Sequence, residues 1–194
     1  DHLMRFGVDW WTQQTVLDVT PLAQAGDAEP QAEIDLSQVI GSDSWSCGGG
    51  ASWGGEVFTK GNFAYVPRYS YTQSAGTQYG GYQYQQQVTF YTVDMSDRAQ
   101  PRVVGSFTVD PIDQGDSWVA GIVQTDNTLL VGRSQGHYRW SDNEIVEKPK
   151  FSYDVIDLTD PGSPRVAERF QVPASIAGGG WGYFPGGCSL DMGW

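Results

Sequence analysis

Hydrophobic residues in this chain fall into short stretches of strand length that are separated by turn-forming residues. Two of them, FAYVPRY at 63–69 and TLLVGR at 128–133, each follow a turn pair, Gly61-Asn62 or Asp126-Asn127. Such runs, rich in β-branched and aromatic residues and preceded by turn signals, predict β-strands. The predicted strands form two sets of four, in chain order 55–61, 63–69, 88–95 and 102–109, then 119–125, 128–133, 151–158 and 165–172.

The two sets are copies of one repeat. VDMSDRAQPRVVGSFTV (93–109) aligns with IDLTDPGSPRVAERFQV (156–172) at a constant offset of 63 residues. The alignment places two aspartates, a Pro-Arg-Val sequence and a phenylalanine at the same positions of both copies. Because Asp bonds its own backbone and Pro presets φ, the Asp-x-x-x-Pro spacing predicts a turn between two strands. Internal similarity of this kind indicates a repeat architecture.

A third, looser copy is predicted at 17–37, with Asp18 in the position of Asp94 and Pro30 in the position of Pro101. A Trp or small-residue segment follows each copy and leads into the next unit. The sequence therefore divides into four segments. They are a partial blade at 1–40, a blade at 41–114 with an insertion at 68–87, a blade at 115–173 with an insertion at 134–150, and the start of a further blade at 174–194.

Four-stranded sheets repeated around an axis form a β-propeller. The segments TVDMSDRAQPRVVGSFTVD and VIDLTDPGSPRVAERFQVP resemble the LVIVD-like repeat of bacterial secreted β-propeller domain proteins, although Asp97-Arg98 replaces the Asp-Pro that Asp160-Pro161 keeps. The resemblance implies an all-β fold, here a β-propeller portion of about three four-stranded blades with long inter-strand insertions. It also implies an extracellular or cell-envelope location (periplasm or outer surface) in a bacterium.

Propellers have roughly four to eight blades. We therefore expect this chain not to close a ring alone, and other blades to come from the same polypeptide or from another chain. The last residues, GGCSLDMGW, stand where a fourth unit would begin, and DHLMRFGVDWW resembles the end of an earlier one.

The charge of the 194-residue chain narrows the classes of partner. Asp and Glu number 23 against 11 Lys and Arg, a formal net charge of −12. Such a surface repels phosphate backbones, so we expect no nucleic-acid partner. No apolar run reaches the length of a membrane span, so we expect no membrane-spanning segment. Few lysines beside many Asp, Gly, Tyr and Gln are typical of an exported surface.

The insertion at 68–87 (RYSYTQSAGTQYGGYQYQQQ) interleaves tyrosines with Gln and Gly. Tyrosine offers a large contact area at low entropic cost, and its flat ring suits sugar rings. Two interpretations stay open: recognition of a protein or polysaccharide partner, and a purely structural extension. The candidate binding residues, which include two in the second insertion, are Tyr69, Tyr71, Tyr79, Tyr82, Tyr84, Tyr138 and Trp140.

Two cysteines, Cys47 and Cys188, lie 141 residues apart in Gly- and Trp-rich stretches. In an exported protein they would form one disulfide. The alternatives are two buried free thiols, or cysteines whose partners lie outside this chain.

Candidate metal and catalytic residues are few. Asp110, Asp113 and Asp116 offer the oxygen ligands that calcium prefers, but their spacing does not follow an EF-hand loop, so a solvated acidic turn is the alternative. No other cofactor is expected. His137 lies near Ser134 and Asp142 in one insertion without a nucleophile elbow, which does not indicate a catalytic triad. No catalytic residue is assigned.

These patterns together favour a non-catalytic exported scaffold or binding protein that recognises a protein partner or a surface glycan. The alternative is an exported propeller hydrolase, acting on glycan or peptide, whose catalytic residues lie largely outside this chain. A third hypothesis is a component of a multi-chain envelope assembly.

Overall fold

The computed structural model shows an all-β protein and describes residues 2–9, 14–24, 31–37, 57–75, 82–111, 117–136, 139–141, 144–147 and 150–173. The regular elements within these ranges are strands and a short 3-10 helix, Leu22–Gln24. The strands are β1 (His2–Asp9), β2 (Gln14–Pro21), β3 (Ala32–Asp35), β4 (Phe58–Lys60), β5 (Phe63–Ala75), β6 (Tyr82–Asp94), β7 (Arg102–Val109), β8 (Ser117–Thr125), β9 (Thr128–Gln135), β10 (Arg139–Ser141), β11 (Glu144–Glu147), β12 (Lys150–Asp157) and β13 (Arg165–Gln171).

The chain divides into two compact units, and β5 and β6 contribute residues to both. Unit 1 comprises 1–70, 89–108 and 161–163, and unit 2 comprises 71–88, 109–160 and 164–194. Unit 1 holds the three-stranded sheet β1-β2-β3 and most of the sheet in which β4, β5, β6 and β7 are neighbours. The strands β4 to β9, β12 and β13 form one eight-stranded sheet. Unit 2 holds its β8-β9-β12-β13 part, which joins β6 through the pairing of Gln85 with Ser117, and also the β10–β11 hairpin. The eight strands predicted for the two full repeats are therefore present, and their neighbours follow chain order.

The core of unit 1 lies between its two sheets. Its members are buried aliphatic side chains at alternate strand positions, the pattern of a sheet with one face covered. They are Leu17, Val19, Ala32, Leu36, Ala64, Val66, Val93 and Met95.

A second group of packed residues in unit 1 is aromatic, with Phe58, Tyr65 and Phe90 buried and Phe107 half-buried. Phe90 stacks on Phe107 with ring centroids 4.9 Å apart. Phe58 meets Phe90 edge-on at 6.4 Å, and Tyr65 meets Phe107 in the same way at 6.4 Å. The Tyr65 hydroxyl donates a hydrogen bond of 2.8 Å to the carbonyl oxygen of Pro161, which belongs to the same unit. We call Phe58, Tyr65, Phe90 and Phe107 the aromatic cluster.

The predicted Asp-containing turns are present and share their bonding. The backbone N–H of Ser96 donates to Asp94 Oδ1 at 2.9 Å, and the backbone N–H of Thr159 donates to Asp157 Oδ1 at 2.9 Å. Each aspartate also accepts a bond from an arginine eight residues on. Arg102 Nη2 lies 3.2 Å from Asp94 Oδ2, and the corresponding Arg165 bond is 3.1 Å.

The residue after each aspartate joins this turn to the preceding hairpin. The N–H of Met95 donates to the carbonyl oxygen of Asn62 at 2.7 Å, and the N–H of Leu158 donates to that of Asn127 at 2.8 Å. Gly61 begins the first hairpin turn at a φ of 60°, a conformation that a residue with a Cβ seldom adopts. The predicted turn pairs Gly61-Asn62 and Asp126-Asn127 therefore occupy equivalent positions in the two repeats.

The structure corrects the predicted alignment of the first copy. The N–H of Ser37 donates to Asp35 Oδ1 at 2.8 Å, so Asp35, not Asp18, occupies the position of Asp94. Asp18 is a buried residue inside β2, where it pairs with Arg5 and Glu33 in the strand register. The prediction was wrong because the turn depends on a serine two residues after the aspartate, which Asp35-Leu36-Ser37 shares with Asp94-Met95-Ser96 and Asp18 lacks.

The all-β class is confirmed. The sheets are antiparallel and mixed, and none closes on itself within the described ranges. The ring of blades stays a prediction, as do the segment boundaries at 40, 114 and 173.

Candidate binding site

A fully buried arginine lies at the base of the predicted binding hairpin in unit 2. Arg133, in β9, is 1% exposed. Its Nε donates to Asp154 Oδ2 at 2.7 Å, its Nη1 to the carbonyl oxygen of Gln86 at 2.8 Å, and its Nη2 to that of Val109 at 2.8 Å. All three guanidinium nitrogens therefore donate to an acceptor, which a buried charge requires. The arginine holds together residues of β6, β7, β9 and β12.

Asp154, in β12, bridges two guanidinium groups. Its Oδ2 accepts from Arg133, and its Oδ1 accepts from Arg169 Nε of β13. Arg169 also donates through Nη2 to the carbonyl oxygen of Asp110 at 2.8 Å. Burial lowers the pKa of the Arg133 guanidinium from its ordinary value, while the hydrogen bond and charge of Asp154 oppose that shift. Asp154 thus compensates the buried positive charge.

Two glutamine side chains of β6 extend the same hydrogen-bond network. The Gln86 side chain is buried, and its Oε1 accepts from the N–H of Val119 in β8 at 2.7 Å. Gln87 Nε2 donates to Asp110 Oδ1 at 2.8 Å. A single parallel pairing, Gln85 with Ser117, joins the two strands directly. These glutamines of the low-complexity insertion are therefore fixed structural residues.

The insertion at 68–87 is largely an extension of β5 and β6. Each of these strands has 13 residues, whereas β7 and β9 have eight. At roughly 3.3 Å per residue, the extra five residues add about 17 Å of strand. The β4 strand pairs with β5 only along Phe63–Tyr65, so it does not accompany the extension.

The structure places four of the five candidate tyrosines of this insertion in the two strands. Tyr69 and Tyr71 lie in β5, and Tyr82 and Tyr84 lie in β6. Tyr69 is half-buried. Tyr79 lies outside the described residues. We call the segments Tyr71–Ala75 and Tyr82–Gln87 the tyrosine hairpin.

The insertion at 134–150 contains a small hairpin. The β10 and β11 strands pair antiparallel, with Trp140 opposite Ile145. Tyr138 and His137 lie outside the described residues. Residues 71–87 of the first insertion and the whole of the second belong to unit 2.

The remaining predicted sites are mostly outside the described ranges. Asp113 and Asp116 lie there, and so do Cys47 and Cys188. Asp110 is exposed at the end of β7, where its carboxylate accepts the bond from Gln87. No group of three or more His, Cys, Asp or Glu that could hold a metal ion occurs among the described residues. The calcium site and the disulfide stay predictions.

Sequence reasoning missed Arg133, Asp154 and Gln86. The sequence does contain a sign of this ion pair. Arg133 and Asp154 are charged residues inside predicted strands, where burying an unpaired charge is costly. Arg68 stands at the equivalent position of the preceding repeat, three residues after the strand's Tyr65 as Arg133 is three residues after Leu130. A charge repeated in two buried strands points to an internal ion pair.

Comparisons with protein-family models, with curated proteins and with solved structures found no match to this chain. Within the described part of the chain, no helix has both the length and the apolar character needed to cross a lipid bilayer.

Proposed function

We propose that this chain is a non-catalytic scaffold or binding protein, exported to the cell envelope or beyond, that recognises a surface glycan or a protein partner through the tyrosine hairpin. The proposal rests on one observation: buried residues fix the base of the hairpin. A strand extension about 17 Å long starts from a base fixed by Arg133, Gln86 and Gln87. A binding element on a rigid base loses little entropy when it engages a ligand.

The composition of the hairpin favours a polysaccharide. Tyr82 and Tyr84 alternate with Gln83 and Gln85 in the sequence of β6. Aromatic rings stack on sugar rings, and side-chain amides both donate to and accept from sugar hydroxyls.

We further propose that the four-stranded sheets are blades of a β-propeller portion, which the LVIVD-like repeats support. The neighbour order of β4 to β7 and of β8, β9, β12 and β13 follows the chain, as blades require. The equivalent Asp94 and Asp157 turns support a repeated unit. Such a portion needs sheets from elsewhere to complete a ring.

The experiment is affinity electrophoresis of the chain in gels that contain neutral or anionic polysaccharides of bacterial surfaces. We expect retardation in at least one gel, and about a tenfold weaker interaction for the double variant Tyr82→Ala/Tyr84→Ala, since aromatic anchors dominate such contacts. The matched control is Val104→Ala, which changes a valine of β7 that is 46% exposed and lies outside the hairpin. Retardation that the double variant retains would contradict a role for the hairpin, and shortening of the polysaccharide would contradict a non-catalytic role.

A further inference from the structure

Two buried serine hydroxyls of unit 2 have no hydrogen-bond partner among the residues that the structure describes. Ser117, at the start of β8, is 0% exposed, and Ser152, in β12, is 3% exposed. A hydroxyl that is buried without a partner costs free energy, and the large majority of buried polar atoms in folded proteins bond to protein or to ordered water. These two hydroxyls therefore require a partner that the neighbouring side chains do not supply.

The strand register places both serines on the same face as the buried arginine. Ser152 pairs directly with Arg133 across β12 and β9. On the other side of β9, Val119 pairs with Arg133, and Ser117 stands two residues before Val119 in β8. Directly paired residues of an antiparallel sheet share one face, and so do alternate residues of a strand. Ser117 and Ser152 therefore lie on the face of the sheet that carries Arg133.

This face has hydrogen-bonding capacity left for a further polar group. Arg133 has N–H groups beyond the three that donate to acceptors within the described part of the chain. Each carboxylate oxygen of Asp154 accepts one hydrogen bond from an arginine and has a second lone pair. A buried water molecule needs about two to four polar partners. A serine hydroxyl can both donate to a water molecule and accept from it.

The charges beside this face favour a neutral ligand. Arg133 and Arg169 carry the positive charges, and Asp154 carries a negative charge that both arginines share. The carboxylate of Asp110 adds a second negative charge, which acts on Arg133 and lies on a residue that Arg169 contacts. The formal charges cancel, which gives a buried ion no net attraction. Water is a small neutral molecule that donates and accepts hydrogen bonds, as these hydroxyls require.

The two serines are too far apart to share one water molecule. They lie on β8 and β12, the strands on either side of β9, and they pair with positions two residues apart along β9. A strand spacing of about 4.8 Å alone separates their Cα atoms by about 9.6 Å. A water molecule that bonds to both hydroxyls would need the two oxygen atoms within about 5.6 Å of each other. Each serine therefore needs a water molecule of its own.

We propose that Ser117 and Ser152 each bind an internal water molecule that joins the hydroxyl to the polar face around Arg133. The inference goes beyond the proposed function and does not depend on it. Ser117 also pairs with Gln85 of the tyrosine hairpin, so its water molecule lies where β6 meets β8. Water at this position extends the hydrogen-bond network at the base of the hairpin.

The test is oxygen-17 magnetic relaxation dispersion of water in solutions of the intact chain, which detects water molecules that stay bound for longer than the protein takes to tumble. We expect a signal from the wild type, and we expect Ser117→Val and Ser152→Val each to lose the contribution of a single water molecule. Valine replaces the hydroxyl with a methyl group and adds a second methyl, which fills most of the roughly 30 Å³ that a water molecule occupies. The matched control, Ser106→Val, changes an exposed serine of β7 and should keep the wild-type signal.

A second measurement distinguishes a hydrated hydroxyl from a dry one and needs no valine variant. Ser117→Ala and Ser152→Ala remove the hydroxyl with little change in volume. A hydroxyl that bonds to water stabilises the fold, so the urea midpoint of each alanine variant should fall by about 0.5 M. Removal of a dry, unpartnered hydroxyl would instead raise the midpoint. Ser106→Ala is the control and should unfold like the wild type.

Three results would overturn the proposal. The first is a wild type that shows no long-lived water molecule. The second is a pair of valine variants that keep the full wild-type signal. The third is a pair of alanine variants whose urea midpoints lie above that of the wild type.

Discussion

The sheet β4 to β7 and the sheet β8-β9-β12-β13 share one backbone plan and differ in what they enclose. In the first, Tyr91 packs against an aliphatic core. In the second, the equivalent position 63 residues later is Asp154, which bonds to two arginines. The turns beside these positions are the same in both sheets. The two repeats therefore share their turn hydrogen bonds, whereas the residues inside each sheet differ.

The largest expected effect comes from breaking the buried ion network. Asp154→Asn removes the carboxylate that compensates Arg133, whose side chain stays buried. Removing one partner of a buried pair costs about 3–5 kcal/mol, so the free energy of unfolding in urea should fall by that amount. The control is Asp157→Asn, three residues further along the chain at the end of β12, where the side chain is 24% exposed. An Asp154→Asn loss no greater than that of the control would show that the network does not stabilise the fold.

A smaller and graded effect separates the aromatic cluster from its equivalents in the second repeat, where Tyr153 holds the position of Phe90. Phe90→Ala should cost about 3–5 kcal/mol, because it opens a cavity under a stacked ring. Tyr153→Ala should cost less than half of this in dilute solution, since its ring is already half-exposed. Urea unfolding at low protein concentration measures both. Equal losses in dilute solution would contradict the difference in burial between the two sheets.

The smallest expected effect concerns the turns that the sheets share. Hydrogen bonds from Thr159 and then from Arg165 lower the pKa of Asp157 from 3.8 to about 2. The pKa of Asp94 is lowered in the same direction, by Ser96 first and Arg102 second. The unfolded chain therefore binds more protons than the folded one in this range, so stability should fall as the pH drops from 3.8 towards about 2.

Unfolding measured across this pH range checks the shared turns. Asp157→Asn should flatten the pH dependence, and Asp94→Asn should do so in the same direction. If either variant kept the pH profile of the wild type, the aspartate replaced in it would not be the cause of the stability loss at low pH. The stability lost in either variant near neutral pH should be a small fraction of the Asp154→Asn loss, because exposed pairs are weak.

Much of the fold could be predicted from local patterns. The strands of both full repeats, the turn pairs at Gly61-Asn62 and Asp126-Asn127, and the turns at Asp94 and Asp157 follow from neighbouring residues alone. The first copy was misaligned because Asp35 and Asp18 both fit a loose pattern, and only the hydrogen bond from Ser37 distinguishes them. The candidate tyrosines were predicted to lie in an insertion between two strands, whereas the structure places four of them in the extended strands β5 and β6. The base of the candidate site was not predicted, because Gln86, Val109 and Arg133 are far apart in the chain.

The sequence by itself determined the all-β class, the repeat and its turns, since strand periodicity and Asp-turn bonding are short-range effects. The tertiary structure decided which charges are buried together and which apolar residues are covered. Arg133 is stable in the interior only because Asp154 and two backbone carbonyls meet it there. Phe107 and Phe170 hold the same position of the repeat, and nothing in the residues themselves states which one a neighbouring segment will cover. Burial depends on contacts between distant parts of the chain, so it is a property of the folded molecule.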